Sequence, residues 1–259
     1  MKPAKRLALV ASDDPRAHEA AAVLRGAHDW VEPSEAEVLV VLGGDGYLLH
    51  VLHHMLDLDR VVPVYGINHG TVGFLMNKAR SSRPIGERVG RAKPIAVAPL
   101  EMTARTNGGN ELSYYAINEV SLLRETRQTA KLEVSVNRKV RMAELYCDGV
   151  LVATPAGSSA YNLSANGPIL PLGCDMLALT PISPFRPRRW RGAILPDHSR
   201  IGFRVLEAAK RPVSAVADQK ELREIAAVSV AVAHHHRLTL LFDRGHSLDE
   251  RIVTEQFQV

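Results

Sequence analysis

Apolar positions in the first third of the chain fall into short solid runs separated by stretches of helical period. Residues 7–11, 38–42 and 61–67 read as strands, and residues 15–26 and 46–56 as the helices between them. Strands alternating with helices are the rhythm of a parallel α/β sheet. From Leu100 the period shortens to two. Leu132, Val134 and Val136 alternate with Lys131, Glu133 and Ser135, and Asn107-Gly108-Gly109-Asn110 is a hairpin-type turn, so the second half reads as antiparallel sheet. The change of period sets a domain boundary between Gly90 and Pro99, punctuated by Lys93, Pro94 and Pro99. Further on, residues 237–242 read as a strand and 248–257 as a strand or a helix. No repeat or low-complexity tract interrupts the pattern.

Length and composition narrow the class. With 259 residues and 46% hydrophobic content, the chain has material for one large core or two modest ones. Its 32 basic and 28 acidic residues leave a net charge of +4, which suits anionic small molecules and is too even for a nucleic-acid binder. Lys2, Lys5 and Arg6 precede an apolar run too short for a signal-peptide core. No apolar stretch approaches the ~20 residues that span a bilayer. These features predict a soluble, cytoplasmic protein with no membrane partner. Cys147 and Cys174 are too few for a disulfide framework and lack metal-site spacing, so reduced thiols are expected.

The run Val40-Val41-Leu42-Gly43-Gly44-Asp45-Gly46 ends a strand in three glycines and one carboxylate. Glycines permit close backbone approach, so the turn can aim successive N–H groups at phosphate, with the dipole of the next helix behind them. Phosphate repels a carboxylate unless a cation or a chemical task keeps it there. Asp45 is therefore a metal contact, a general base, or both. No Gly-x-x-x-x-Gly-Lys-Ser/Thr element supplies a loop lysine, and a divalent cation is expected. A second series, Gly66-Ile67-Asn68-His69-Gly70-Thr71-Val72-Gly73-Phe74-Leu75, leaves the next strand. Either both are tight turns, or both line one crevice in which Phe74 offers a ring face to a base or nicotinamide.

Other candidates lie further along. Asn118-Glu119 can clamp ribose hydroxyls or adenine edges, or can be a plain strand-end turn. From Asp148-Gly149 to Thr154-Pro155-Ala156-Gly157-Ser158-Ser159-Ala160-Tyr161-Asn162-Leu163-Ser164, an apolar run gives way to small and hydroxylated residues that open a backbone-lined pocket. A nucleophilic serine is disfavoured there, because no Gly-x-Ser-x-Gly elbow and no paired histidine is present. His50, His53 and His54 have helical spacing and His234-His235-His236 form a run, yet no carboxylate completes a metal motif. Only His50, one turn past the glycine loop, stays of interest. Arg186, Arg188, Arg189 and Arg191 read as a solvated loop, with phosphate or a neighbouring subunit as the alternatives.

In combination these motifs resemble the NAD kinase family of the diacylglycerol kinase-like superfamily, enzymes that use ATP to phosphorylate the adenosine ribose 2′-hydroxyl of NAD. The resemblance covers nearly the whole chain and extends through Asn166-Gly167-Pro168 and Thr180-Pro181-Ile182-Ser183-Pro184. It implies an N-terminal Rossmann-like α/β domain over residues 1–95, a C-terminal β-sandwich-like domain over 96–239, and a last segment, about 240–259, returning to the first. Asp45 is implied as catalytic base, with Gly43, Gly44, Gly46, His50 and Phe74 around the dinucleotide and Asn118 and Glu119 on a ribose. Ala156 joins the binding set, and Asp148, Ser159, Ala160, Tyr161, Asn162 and Ser164 fall on nicotinamide-side and partner-subunit contacts. The implied partners are NAD and ATP, with Mg²⁺ or Mn²⁺ and no protein metal ligand, in a homodimer or homotetramer whose sites are completed across subunits.

The chain departs from the family pattern in places. Tyr47 and Ser159 stand where Thr is usual, Ala156 replaces a common Thr, and Asn166 replaces Gly. Phe185 replaces a frequent His, and Asp218-Gln219 lacks an intervening Gly. None of these removes the catalytic carboxylate, but they leave the donor open between ATP and inorganic polyphosphate. Two other readings remain. A diacylglycerol- or sphingosine-type lipid kinase shares the Gly-Gly-Asp-Gly element but needs an apolar tunnel for its acceptor. A non-catalytic dinucleotide sensor is opposed by the retention of Asp45.

Overall fold

The computed structural model describes residues 5–79 and 81–244. The chain divides into two compact units, one holding the chain up to Val97 and again from Arg237, the other holding Ala98–His236. In the first unit β1 (Leu7–Ala11), α1 (Pro15–Ala27), β2 (Val38–Gly43), α2 (Asp45–Asp57), β3 (Val64–Asn68), α3 (Ile85–Arg91) and β4 (Lys93–Val97) follow in order. Asp14 caps α1, its carboxylate accepting from the Arg16 backbone N–H at 2.9 Å, and Pro15 fills the first helical position where no N–H is needed. Helices cover both faces of the sheet. Val38, Val40 and Leu42 pack with Ala17, Ala21, Ile85 and Val89 of α1 and α3, whereas Gly66 faces α2 across Leu48. Every residue of β2 is buried, which is why its sequence is a solid apolar run with no alternation. Helix α2 buries Leu48, Leu49, Leu52, Met55 and Leu56, an i, i+3, i+4 stripe worth about 1.5–3 kcal/mol per fully buried side chain.

In the second unit come β5 (Leu100–Thr106), β6 (Glu111–Ala116), β7 (Glu119–Arg124), β8 (Ala130–Val136), β9 (Lys139–Cys147), β10 (Gly149–Ala153), α4 (Tyr161–Ser164), β11 (Met176–Ile182), β12 (Ala193–Pro196), β13 (Ile201–Val205), β14 (Val213–Ala217), β15 (Lys220–Leu222) and β16 (Ile225–Val232). They form two six-stranded sheets, ordered β12-β11-β10-β7-β14-β15 and β6-β5-β16-β13-β8-β9, with antiparallel pairing in both. One core draws on both sheets, through Met102, Leu132, Val134 and Phe203 on one side and Val120, Leu122, Val150 and Val152 on the other. The alternation in β8 is realised residue by residue: Ala130, Leu132, Val134 and Val136 are buried and the residues between them are half-exposed. The expected hairpin at residues 107–110 joins β5 to β6, with Thr106 N–H donating to Asn110 O at 2.9 Å and Gly109 at φ +86°.

The last described strand, β17 (Leu238–Phe242), belongs to the first unit, whose sheet order is β1-β2-β3-β17-β4. Strands β1, β2, β3 and β17 run parallel, and β4 runs antiparallel to β17. Lys93 and Pro94, read from sequence as boundary punctuation, lie inside β4. Pro94 is tolerated because β4 is the edge of the sheet, where a missing N–H breaks no ladder. Asp243, just after β17, fastens the strand. It accepts from Tyr65 Oη at 2.5 Å and from Arg88 Nη2 at 2.8 Å, while its own N–H donates to Asn77 Oδ1 at 2.8 Å. The stretch 248–257 lies outside the described residues. Among the described residues no helix is long and apolar enough to cross a membrane.

Candidate functional site

The apolar run of β2 ends at Gly43, and Gly44 takes the N-cap position of α2 in an extended conformation, which places Asp45 in the first helical turn. The helix thus starts one residue before the sequence pattern suggested. The second glycine series folds back onto this turn. His69 N–H donates to Gly43 O at 2.7 Å, and a Cβ on Gly70 would come within 2.9 Å of the Gly44 α-carbon. Glycine at both positions lets two backbones touch where a side chain would hold them apart.

Asp45 ties the two series together. Its Oδ2 accepts from the backbone N–H of Gly73 at 3.0 Å and of Phe74 at 2.8 Å, and its Oδ1 accepts from Leu75 at 2.9 Å. A carboxylate offers about four acceptor positions, so one remains on Oδ1. Gly46 is exposed with nothing within 4 Å of a would-be Cβ, which leaves the N–H groups at the start of α2 open to an anion. His50 is exposed one turn on, stacked on Tyr47 with centroids 6.3 Å apart, and Phe74 is half-buried. Tyr47 packs on the loop itself, 3.1 Å from the position of a Gly43 Cβ, and burial pushes its hydroxyl pKa up.

In the second unit, Asn118 and Glu119 sit where β6 passes into β7. The Asp218 carboxylate, at φ +51° in the turn between β14 and β15, accepts from the N–H groups of Ile117 (2.6 Å), Asn118 (3.0 Å) and Glu119 (3.1 Å). The other side of this corner is held by Thr154. Its hydroxyl donates to Ile117 O at 2.7 Å and accepts from Gly157 N–H at 3.1 Å, and its own N–H donates to Asn118 O at 2.9 Å. Gly157 lies against that corner so closely that a Cβ would come 2.2 Å from Asn118 O. Two buried acceptors are left without partners, Asn118 Oδ1 and Glu119 Oε2. Burial, and then the Asp218 charge, push the Glu119 pKa up to about 7.

The small-residue stretch follows. Ala156 is buried, Ser159, Ala160 and Tyr161 are half-buried, and Ser164 is exposed at the end of α4. Asn162 is fully buried and points inward: Nδ2 donates to Ser158 O (3.0 Å) and Pro168 O (2.9 Å), and Oδ1 accepts from Thr180 Oγ1 at 2.7 Å. Its side chain therefore stitches the loop to β11. Asp148, at the junction of β9 and β10, pairs with Arg124 Nε at 2.6 Å.

This constellation has counterparts. Residues 6–83 match the ATP-NAD kinase N-terminal domain, and residues 117–239 match the ATP-NAD kinase C-terminal domain. The chain belongs to the NAD kinase family. An NAD kinase of Rhizorhabdus wittichii is 58% identical over 255 residues, covering 98% of this chain and 99% of that protein. Two solved structures share the fold. The yeast NADH kinase complexed with NADH superposes with a TM-score of 0.81 at 21% identity, covering 98% of this chain and 88% of that one. The Archaeoglobus fulgidus NAD kinase in complex with ATP gives 0.77 at 22% identity, covering 96% of this chain and 98% of that one. As an NAD kinase family member the chain is an enzyme, a phosphotransferase. The lipid-kinase and sensor readings are not favoured by these relatives.

Against the NAD kinase pattern, the sequence picked out both glycine series and Asn118-Glu119 but not the residues that shape them. Asp218 lies ~100 residues from the three N–H groups it holds, and no local spacing signals that. Asn68, whose Oδ1 accepts from Gly70 N–H at 2.9 Å and whose Nδ2 donates to Val72 O at 2.9 Å, was visible only as a polar residue among glycines. Among the described residues no group of three or more His, Cys, Asp or Glu could hold a metal, and three of Asp45's acceptor positions are taken by N–H groups. The donor set does not fit a resident cation.

Proposed function

We propose that the enzyme transfers the terminal phosphoryl group of ATP to the adenosine ribose 2′-hydroxyl of NAD, giving NADP and ADP. The observation that carries this reading is the Asp45 carboxylate, held by Gly73, Phe74 and Leu75 at the open N-terminus of α2 with one acceptor position free. That position takes the hydrogen bond of the 2′-hydroxyl. As the bond from the γ-phosphorus to the 2′-oxygen forms, the bond to the β–γ bridging oxygen breaks and its electron pair leaves with ADP. The hydroxyl proton passes to Asp45. A carboxylate is a weak base toward a free alcohol, so proton removal accompanies transfer and positioning supplies most of the acceleration. The N–H groups at the start of α2 face the charge that develops on the phosphoryl oxygens. Mg²⁺ or Mn²⁺ carried by ATP would neutralise donor phosphate charge, with no residue of this chain assigned to hold it.

Asn118 Oδ1 and Glu119 Oε2 are the buried acceptors that ribose hydroxyls of the dinucleotide satisfy. Phe74 offers a ring face to the dinucleotide, and Ala156, Ser159, Ala160 and Tyr161 belong to its binding set. Asn162 holds that stretch in place. Asp148 and Ser164 serve a homodimer or homotetramer, a state supported by exposed Met176, Phe185 and Ile194 on β11, β12 and their connection. The enzyme works in the cytoplasm. One assay tests the reaction: NADP formation from NAD, ATP and Mg²⁺ by wild type and Asp45→Asn. The variant is expected to lose about 10²- to 10⁴-fold in kcat. Equal rates, or no NADP from either protein, would overturn the assignment.

A further inference from the structure

The corner where β6 passes into β7 is also where the chain crosses from one six-stranded sheet of the second unit to the other. Backbone N–H groups at such a crossing lose ladder partners that a strand interior supplies, and each needs another acceptor. At Ile117, Asn118 and Glu119 one side chain takes all three, the Asp218 carboxylate, at 2.6, 3.0 and 3.1 Å. The register of β14 on β7, with Ala217 opposite Val120, brings Asp218 alongside Glu119, and the Asp218 N–H returns a bond to Glu119 O at 3.1 Å. The backbone is thereby fixed at the two residues whose buried oxygens, Asn118 Oδ1 and Glu119 Oε2, have no partner.

Neither the turn nor the corner requires an acid here. Asp218 is the first residue of the two-residue loop between β14 and β15, at φ +51°. Gly and Asn adopt that conformation as readily as Asp, and Asn also offers a neutral acceptor to N–H groups. An acid instead sets a negative charge beside Glu119, and that charge adds to burial in pushing the Glu119 pKa up to about 7. Two carboxyl groups side by side oppose folding, so the choice of Asp is a cost to the structure that the site must use. The Tyr161 hydroxyl of α4 also feels this charge: burial first, and then Glu119 and Asp148, push its pKa up. Lys220, two residues beyond Asp218, lies over the Tyr114 ring, 5.5 Å from its centre.

We propose that Asp218 is a positioning residue for the acceptor dinucleotide: by fastening the N–H groups of Ile117, Asn118 and Glu119 it holds Asn118 Oδ1 and Glu119 Oε2 where the ribose hydroxyls meet them. The inference rests on the phosphotransfer reading given above for the identity of the ligand, and it adds a residue that acts through Asn118 and Glu119 from 99–101 positions further along the chain. With the corner unfastened, both side chains sample other rotamers, and the cost of ordering them again on binding falls on the affinity for NAD. The donor nucleotide and the transfer step make no use of that order, so the effect is confined to NAD.

Asp218→Gly and Asp218→Asn test this, because both replacements suit φ +51° and keep the turn. For wild type and each variant, NAD is titrated calorimetrically in the absence of ATP, the KM for NAD, the KM for ATP and kcat are measured, and kcat/KM for NAD is followed as a function of pH. Asp218→Gly frees all three N–H groups and is expected to raise the Kd and KM for NAD about 10-fold, with kcat and the ATP KM staying within about 3-fold. Asp218→Asn keeps Oδ1, the atom that serves the Asn118 and Glu119 N–H groups, and is expected to bring the NAD Kd back within about 3-fold of wild type. It lacks the charge, so Glu119 ionises more easily and the break near pH 7 in kcat/KM moves to lower pH; Glu119→Gln abolishes that break and so identifies it. A residue that only shaped the turn would move neither NAD affinity nor the break. Wild-type NAD affinity in Asp218→Gly overturns the proposal, as does a loss shared equally by ATP, or an unmoved break in Asp218→Asn. A failure of the phosphotransfer reading looks different: wild type then makes no NADP, while the calorimetric titration still compares NAD binding among the variants.

Discussion

Glu119 shows how one side chain sets a pH dependence. Burial raises its pKa from 4.5 to about 7 in the folded protein, so between those values the folded state keeps a proton that the unfolded state has released. Stability therefore falls as pH rises from about 4.5 to 7 and is level on either side, the full cost being on the order of 3 kcal/mol. Glu119→Gln removes the titration. Thermal melts at pH 5 and pH 7.5 are expected to show wild type losing stability relative to the variant across that interval, and parallel behaviour would refute the assignment. The pair Asn118-Glu119 was legible as a polar strand end in an apolar neighbourhood. Its burial and its unpartnered oxygens were not, because they follow from Asp218 and Thr154 pinning the corner from distant positions.

Between elements, the contact that matters is backbone on backbone. The exits of β2 and β3 touch at Gly44 and Gly70, and Asp45 reaches past that contact to the N–H groups of Gly73 to Leu75. Gly70→Ala puts a Cβ 2.9 Å from the Gly44 α-carbon and forces the two loops apart. A shift near 1 Å at a reacting group can cost about 10²-fold, so kcat is expected to fall by about that factor while the melting temperature moves little. Full activity in Gly70→Ala would show that the contact is incidental. Both glycine series announced themselves in sequence, since a run of apolar residues ending in glycines marks a strand exit. That one carboxylate spans them was not readable from either series alone.

Across the whole molecule, the chain leaves the first unit at Val97 and re-enters it at Arg237, and β17 completes the parallel sheet between β3 and β4. Asp243 secures that return through Tyr65, Arg88 and Asn77, and the Arg88 side chain is only 6% exposed. Asp243→Ala leaves a buried guanidinium without its carboxylate, which is expected to cost about 3–5 kcal/mol in urea unfolding; a loss below 1 kcal/mol would show the latch to be redundant. Sequence alone determined the class of each half, because hydrophobic period reports local geometry: solid runs for strands covered on both faces, alternation for strands with one face on a core. It also determined the Gly-Gly-Asp-Gly turn, whose residue types are dictated by backbone conformation within a few positions. Tertiary structure alone decided that Lys93 and Pro94 form an edge strand against β17, that Asn162 turns inward to hold a loop, and that Asp45 is fastened by N–H groups ~30 residues away. Those outcomes depend on which segments the fold brings together, and residues far apart in the chain leave no periodic trace of their meeting.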